Sequence, residues 1–243
     1  MTASDRGGGA DGVRCAPSAP FRAAAPDAAS PTVSAGPPPR RTLHGLPWPT
    51  DWATLFGRPA PLLVEIGFGR GHYLIDLAAR RGDANIVGIE MSNRCLDGVE
   101  RDAARRGFDH LVVVHATGQS ALAHLFAPAS IDTLVIQFPD PWFKARHAHR
   151  RLLGPATVAL IASRLAPGGT LLAATDVADY AAAIDAVLAA QRGLRNALSA
   201  GAPWSPVRFE GVATKYERFG LAAGRPCAYF RYERTAEAVP DPP

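Results

Sequence analysis

The chain has 243 residues, a formal net charge of +4 at pH 7 and 47% hydrophobic residues, which suits one or at most two domains with a sizeable core. No apolar run reaches the roughly 18 residues of a membrane helix, and Cys15, Cys95 and Cys227 form neither a disulfide framework nor a CxxC metal pair. These features predict a soluble protein of a reducing compartment, without membrane or metal, whose mild basicity is compatible with a polyanionic partner.

The first 41 residues differ in composition from the rest. They hold 7 Pro, 5 Gly and 10 Ala and almost no large apolar side chains. Such a segment cannot bury enough apolar surface to offset the entropy of ordering it. We therefore predict a disordered Ala/Pro/Gly-rich tail over residues 1–45, a folded domain over 46–234 and a disordered C-terminal tail over 235–243.

Short apolar runs alternate with amphipathic stretches from residue 61 onward. Strands are predicted over residues 62–66, 85–90, 111–115, 131–138, 169–174, 207–212 and 227–233, the last two antiparallel. Helices are predicted over residues 72–81, 93–106, 120–126, 155–165 and 180–192. This alternation predicts a Rossmann-like α/β fold with a mostly parallel, seven-stranded sheet and helices on both faces. Ligands of such sheets bind beyond the carboxyl ends of the strands.

A glycine-rich turn follows the first predicted strand in the stretch Glu65-Ile66-Gly67-Phe68-Gly69-Arg70-Gly71-His72. A dinucleotide fingerprint would place its third glycine at His72. Glu65 would repel a pyrophosphate but suits a cationic ligand, and Glu90, at the end of the second strand, can accept from ribose hydroxyls. The pattern favours S-adenosylmethionine over NAD, the alternative being a tight turn that only needs glycines.

A proline-flanked carboxylate, Asp140, follows the fourth predicted strand in the stretch FPDPWFKARHAHRR over residues 138–151. The prolines fix the backbone on both sides of it. Lys144 and several arginines follow within eight residues, a local basic patch that suits phosphate contacts. A proline turn leading into a solvated basic segment is the structural alternative.

Taken together, these motifs resemble the bacterial tRNA (guanine-N7)-methyltransferase family. The matching stretches are EIGFGRG (65–71), VGIE (87–90), FPDPWFKARHAHRR (138–151), ATD (174–176) and TKYERFG (214–220). They span roughly residues 58–234, and the proline-aspartate-proline-tryptophan motif is the most specific of them. The resemblance implies a class I S-adenosylmethionine-dependent methyltransferase domain, acting in the cytoplasm on tRNA as a monomer or homodimer.

The resemblance also implies a role for individual residues. It places Asp140 as the catalytic residue beside the cofactor, with Glu65, Gly67, Gly69, Glu90 and Thr117 as further cofactor-binding residues. Thr117 stands where the family usually has an acidic or amide residue. The guanine site is implied for Lys144, Asp176, Thr214, Lys215, Tyr216 and Glu217. Contacts with RNA are implied for Arg146, His147, His149, Arg150 and Arg151.

Two other functions remain open from the sequence. One is a methyltransferase of the same fold that acts on another RNA or on a small molecule, and the other is a catalytically silent RNA-binding module. For Asp176, a helix N-cap is as good an interpretation as a substrate contact. Only Lys144 and Lys215 are lysine among 26 basic residues, and both fall in the implied guanine site, where Arg is not an equivalent of Lys.

Overall fold

The computed structural model describes residues 41–198 and 202–242. Its strands are β1 (Arg41–Thr42), β2 (Leu62–Ile66), β3 (Asn85–Glu90), β4 (Leu111–His115), β5 (Ile131–Gln137), β6 (Leu165–Thr175), β7 (Leu194–Asn196) and β8 (Ala228–Arg234). They form one sheet in the order β1-β4-β3-β2-β5-β6-β8-β7. The pairs from β1 to β6 are parallel, and β8 runs antiparallel to both β6 and β7.

Helices alternate with most of the strands along the chain. They are α1 (Trp52–Phe56), α2 (His72–Arg80), α3 (Asn93–Arg106), α4 (Gly118–His124), α5 (Pro155–Arg164), α6 (Ala178–Ala190) and α7 (Lys215–Ala222), with short 3₁₀ helices at Leu43–Gly45 and Ala145–Arg150. Helix α3 is amphipathic, since it buries Leu96, Val99 and Ala103 on one face, and it ends at Gly107 in the left-handed conformation, φ 67°.

The sheet carries a hydrophobic core on each face. β2 is buried at all five positions, and its alternate side chains enter different cores. Leu63 packs with α2 and α3, whereas Val64 packs on the side of α4, α5 and α6. This alternation decides which strand-end side chains share a face, and it places Glu65 on the α2 and α3 side.

The predicted α/β class with a mostly parallel sheet is confirmed, but the strand count is eight rather than seven. The prediction of a strand over residues 207–212 was wrong. There Phe209 alone is drawn inward, packing edge-to-face on Tyr229, while Val207 is 71% exposed and Gly211 has a φ of 108°. The free edge of β8 is occupied instead by β7 and by a bridge from Ser205 to Tyr229.

Structure extends beyond the predicted domain limits within the described residues. Arg41 and Thr42 pair with β4. At the other end, Asp241 forms an ion pair with the buried Arg164. Residues 1–40 of the predicted N-terminal tail lie outside the described residues, so the disorder predicted there stays a prediction. Along the described ranges, no helix is long and apolar enough to cross a membrane.

Candidate active site

The glycine-rich turn after β2 brings the backbone across the carboxyl edge of the sheet. Gly67, Gly69 and Gly71 all adopt left-handed backbone conformations, with φ of 74°, 53° and 73°. A Cβ at Gly71 would lie 2.1 Å from Cγ2 of Val99, so this residue allows α2 to begin directly against α3. The turn therefore needs its glycines for backbone geometry at three positions and for close packing at one.

Glu65 is the buried carboxyl of this turn. It is 2% exposed, and its Oε2 is without a hydrogen-bond partner in the described part of the chain. Burial, with a further contribution from the nearby Glu90, raises the pKa of Glu65 from its ordinary 4.5 to about 8. An orphaned buried carboxyl costs stability, so its environment is complementary to a ligand that brings a hydrogen-bond donor or a positive charge.

A cleft of about 470 Å³ opens over Glu65. The turn supplies its floor, and α3 and the start of α7 supply side walls. Its lining comprises Glu65, Gly67, Phe68, Gly69, Arg70, Gly71, His72, Tyr73, Arg94, Cys95, Gly98, Arg101, Asp102, Gln137, Thr214, Lys215 and Tyr216.

Gln137, the last residue of β5, is a second buried polar group in this cleft. Its Nε2 is buried and unpartnered among the described residues. Ile66 of β2 is paired with Ile136 of β5. Glu65 directly precedes the first isoleucine and Gln137 directly follows the second. Because side chains alternate along a strand, Glu65 and Gln137 both project from the face of the sheet opposite to these isoleucines. The cleft therefore holds an unpaired donor and an unpaired carboxyl. Sequence reasoning missed Gln137, although its place at a strand end was a usable signal.

Glu90 closes the turn from the end of β3. Its Oε2 accepts from the Gly69 N–H at 3.0 Å, and its Oε1 accepts from the N–H groups of Met91 and Ser92 at 2.7 and 2.9 Å. Three backbone donors fix the carboxylate and leave Oε2 with room to accept again. Glu90 thus stands at the turn rather than in the lining of the cleft.

Thr117 has a structural partner of its own. It is the N-cap of α4, where its Oγ1 accepts from the Ser120 N–H at 3.1 Å and donates to the Ser120 Oγ at 2.8 Å. This hydroxyl is therefore already engaged in capping.

Asp140 lies in a backbone segment with unusual geometry on both sides. Phe138 and Trp142 have positive φ angles of 50° and 44°, which is rare for bulky residues and is concentrated at functional sites. Asp140 itself is exposed. The segment is tied to β6 by a hydrogen bond from the Phe138 N–H to the Ala174 carbonyl at 2.8 Å.

The basic segment after Asp140 is partly fastened to the domain. Arg151 donates to the Pro141 carbonyl at 2.8 Å, and its guanidinium lies 4.8 Å from the ring centre of Tyr180 in α6. Arg150 lies over the Trp142 ring at 5.0 Å. The other members are Lys144, Arg146 and His149, which are exposed, and the partly buried His147. Arg151 therefore holds the loop in place, while its neighbours face solvent.

The segment from Thr214 to Glu217 begins α7, a helix that was not among those predicted from the sequence. Thr214 and Glu217 form a reciprocal capping box. Glu217 is 1% exposed and accepts from the Tyr229 hydroxyl at 2.8 Å. Thr214, Lys215 and Tyr216 line the cleft, whereas the Glu217 carboxylate points into the domain.

Asp176 is a neighbour of α7 and not a helix cap. The N-cap of α6 is Val177. The Asp176 carboxylate instead accepts from two nitrogens of Arg225, at 2.9 and 2.8 Å, just beyond the end of α7. A Cβ at Gly220 would lie 2.8 Å from the same carboxylate. Asp176 and Glu217 therefore both hold α7 against the carboxyl edge of the sheet.

The structure thus gathers only part of the predicted site in one cleft. Of the residues singled out from the sequence, Glu65, Gly67, Gly69, Thr214, Lys215 and Tyr216 line it. The remaining residues do not line it: they lie at other strand ends, in the segment after β5 or in α7, and they are Glu90, Thr117, Asp140, Lys144, Asp176, Glu217 and the basic segment. The lining residues Arg70, Arg94, Cys95, Arg101 and Gln137 were not predicted as site residues. Arg70 lies in the quoted EIGFGRG stretch and Gln137 at a strand end, whereas the other three belong to no motif.

Comparison with known proteins identifies a family and relatives of this chain. Residues 59–229 match a family model described as a putative methyltransferase. Among curated proteins, a tRNA (guanine-N(7)-)-methyltransferase of Burkholderia cenocepacia is 39% identical over 186 residues, covering 76% of this chain and 72% of its own. The protein with the same description from Paraburkholderia xenovorans is 37% identical, with 76% and 70% covered.

Solved structures share the fold at low sequence identity. The 16S rRNA methyltransferase KamB aligns with a TM-score of 0.56 at 15% identity, covering 76% of this chain and 93% of its own. A mutant of the 16S rRNA (adenine(1408)-N(1))-methyltransferase from Catenulisporales acidiphilia aligns with a TM-score of 0.50 at 16% identity, with 77% and 91% covered. These likenesses concern the arrangement of the sheet and helices.

Proposed function

The chain belongs to the tRNA (guanine-N(7)-)-methyltransferase family, and we propose from this membership that it transfers the methyl group of S-adenosylmethionine to N7 of a guanosine in tRNA. The observation that carries the proposal is the cleft at the carboxyl edge of the sheet, with an unpaired buried carboxyl beside a glycine turn. We place the reaction in the cytoplasm because its tRNA substrate is there.

The residues of the cleft fit S-adenosylmethionine. Glu65 offers a buried carboxyl oxygen to an ammonium group, and Gln137 offers a buried donor to a carboxylate. Glu90, held by three backbone N–H groups, keeps accepting capacity for ribose hydroxyls. Thr117 is engaged with Ser120, so we assign it to shaping the adenine end by capping α4. When bound, the cofactor supplies a methyl group activated by a sulfonium.

Asp140 is assigned to electrostatic stabilisation. Guanine N7 already carries a lone pair, so no base is needed to generate the nucleophile. Methylation places positive charge on the guanine ring, and a fixed carboxylate stabilises that charge as it develops. The backbone constraint around Asp140 supports this role, because preorganised charge avoids reorganisation during the reaction.

The start of α7 is assigned to holding the target guanosine. Tyr216 is 58% exposed and offers an aromatic surface, and Lys215 lies beside it, with its Nζ 5.9 Å from the Tyr216 ring centre. Thr214, by its capping bond, fixes where the helix starts. Asp176 and Glu217 act by positioning this helix, since their carboxylates are held by Arg225 and by Tyr229.

The basic segment is assigned to the tRNA backbone. Exposed Arg146, His149 and Arg150, together with His147, can reach phosphates. The exposed Lys144, which precedes them, is assigned to the target guanosine. Arg151 supports them by fastening the loop through Pro141.

Mass-spectrometric nucleoside analysis of tRNA tests the proposal. Purified protein with S-adenosylmethionine and unmodified tRNA should yield 7-methylguanosine, and tRNA from cells without the gene should lack it unless a second enzyme makes it. Asp140→Asn should lower kcat by about 10²–10³-fold with cofactor and tRNA affinities unchanged. Absence of cofactor binding in calorimetry would point instead to a silent RNA-binding module, and a different methylated product to another substrate.

A further inference from the structure

A row of arginines lies along one wall of the cleft. Arg94, Gly98 and Arg101 occupy positions i, i+4 and i+7 of α3, so they share one face of the helix, and all three line the cleft. Arg70 reaches the same cleft from the glycine-rich turn. Gly98 has open space where a side chain would stand, so the wall between the two helical arginines is flat and accessible.

These arginines are available for a partner. Arg70, Arg94 and Arg101 are exposed, and none forms an ion pair with any other part of the described chain. Arg105, on the same helix, differs because it is paired with Asp102. That pair also offsets the charge of Asp102, a carboxylate of the cleft lining, and the rim remains cationic.

The spacing of these charges suits a polyanion better than a small ligand. Arg94 and Arg101 are seven residues apart, which places them roughly 10 Å apart along the helix axis. One phosphate or one carboxylate therefore cannot satisfy both. S-adenosylmethionine carries a single carboxylate and no phosphate, so three free guanidinium groups exceed what it needs. Guanidinium groups match phosphate geometry in two-point contacts.

Two residues from the start of α7 support the same kind of partner. Lys215 and the exposed ring of Tyr216 line the same cleft as the arginines. A cationic groove with an aromatic platform is the combination used for single-stranded nucleic acid. A nucleotide lying in this cleft would have its base near the ring and its backbone near the arginines.

We propose that Arg70, Arg94 and Arg101 bind backbone phosphates of the tRNA strand that carries the target guanosine. This inference rests on the proposed function and adds a second phosphate-binding surface to it. The first, the basic segment after Asp140, lies on the other face of the sheet, because Arg151 packs on Tyr180 of α6 while α3 packs with α2. The two surfaces therefore flank the strand ends from opposite sides and hold the strand across them.

Salt dependence of tRNA binding tests the proposal directly. Affinity of the full chain for unmodified tRNA would be measured over a series of KCl concentrations for the wild type, Arg94→Gln, Arg101→Gln and the double variant. Arg106→Gln is the matched control, because it removes the same charge from the same helix without lining the cleft. Each cleft variant should weaken binding about two- to fivefold at low salt and reduce the slope of log K against log salt by about 0.7.

Steady-state kinetics supply the second measurement. The double variant should raise KM for tRNA with kcat unchanged, and calorimetry should give the wild-type affinity for S-adenosylmethionine. The proposal would be overturned if the double variant, like Arg106→Gln, kept the wild-type salt slope. It would also be overturned if the double variant lost affinity for the cofactor. Failure of the wild type to form 7-methylguanosine would instead overturn the proposed function, so the two failures are distinguishable.

Discussion

Replacing Glu65 by Gln should stabilise the cofactor-free protein at alkaline pH and weaken cofactor binding. The raised pKa of about 8 means that the folded protein retains the Glu65 proton between pH 4.5 and 8, where the unfolded chain has lost it. Wild-type stability therefore falls as pH rises through this interval. Gln is uncharged and nearly isosteric with Glu, so the stability of the Glu65→Gln variant should not fall over this pH range.

The size of the effect follows from the shift. Each pKa unit corresponds to about 1.4 kcal/mol, so the loss in folding stability caused by Glu65 is at most about 4 kcal/mol at pH 8. Relaxation of the buried site reduces this loss to roughly 2–4 kcal/mol. Urea unfolding between pH 5 and 8.5 measures it. The two proteins should be equally stable near pH 5, and the variant should become the more stable one as pH rises. Glu210→Gln, which removes an exposed carboxylate, is the control and should follow the wild type.

Cofactor binding gives an independent check of the same carboxyl. An ammonium group beside Glu65 favours the ionised form, so binding near pH 7 should release a proton in the wild type. Calorimetry in buffers of different ionisation enthalpy detects this proton, and Glu65→Gln should release none. Parallel stability curves for wild type and variant across pH 5–8 would refute the electrostatic account of this site.

Two further sets of substitutions test the cleft. Gly71→Ala should destabilise the fold by about 2 kcal/mol or more, because φ is 73° and the new Cβ would lie 2.1 Å from Cγ2 of Val99. Gly98→Ala, in open space within α3, should instead stabilise the fold by about 0.5–1 kcal/mol. Urea unfolding measures both changes. Lys144→Arg and Lys215→Arg should each lower the rate of tRNA methylation more than they lower thermal stability, since a planar guanidinium does not replace a compact ammonium at a shaped site. Full activity in both variants would mean that the placement of the two lysines is a coincidence.

The central fold could be predicted because its elements carry strong periodic signals. β2 is apolar at four of its five positions, and α3 repeats its buried residues at helical spacing. β1 and β7 have two and three residues, too few for any periodicity. The alternation over residues 207–212 was real, but only Phe209 is drawn inward, and alternation alone cannot reveal that the sheet edge is already occupied.

Helix α7 was not predicted, although the sequence at its start carries a recognisable pattern. The sequence from Thr214 to Glu217 is a capping-box pattern, with a threonine followed three residues later by a glutamate. Its apolar side chains form no buried helix face, since Phe219 and Leu221 are 56% and 54% exposed. The stretch was therefore interpreted only through the family resemblance. Local capping chemistry was the better guide here than hydrophobic periodicity.

The strand-end rule predicted the edge of the sheet at which the cleft opens, but it could not separate contact residues from supporting ones. Glu65 and Gln137 emerge from neighbouring strands on the same face, and the described residues supply no partner to Glu65 Oε2 or Gln137 Nε2. Asp176 and Glu217, in contrast, are held by partners 49 and 12 residues away along the chain. A carboxylate in a motif is compatible with either role. What distinguishes them is whether the fold supplies its partners, since a buried polar group without one is stabilised only by a ligand. By this criterion, we propose that Glu65 binds the ligand and that Asp176 and Glu217 belong to the scaffold that brings Lys215 and Tyr216 to the cleft.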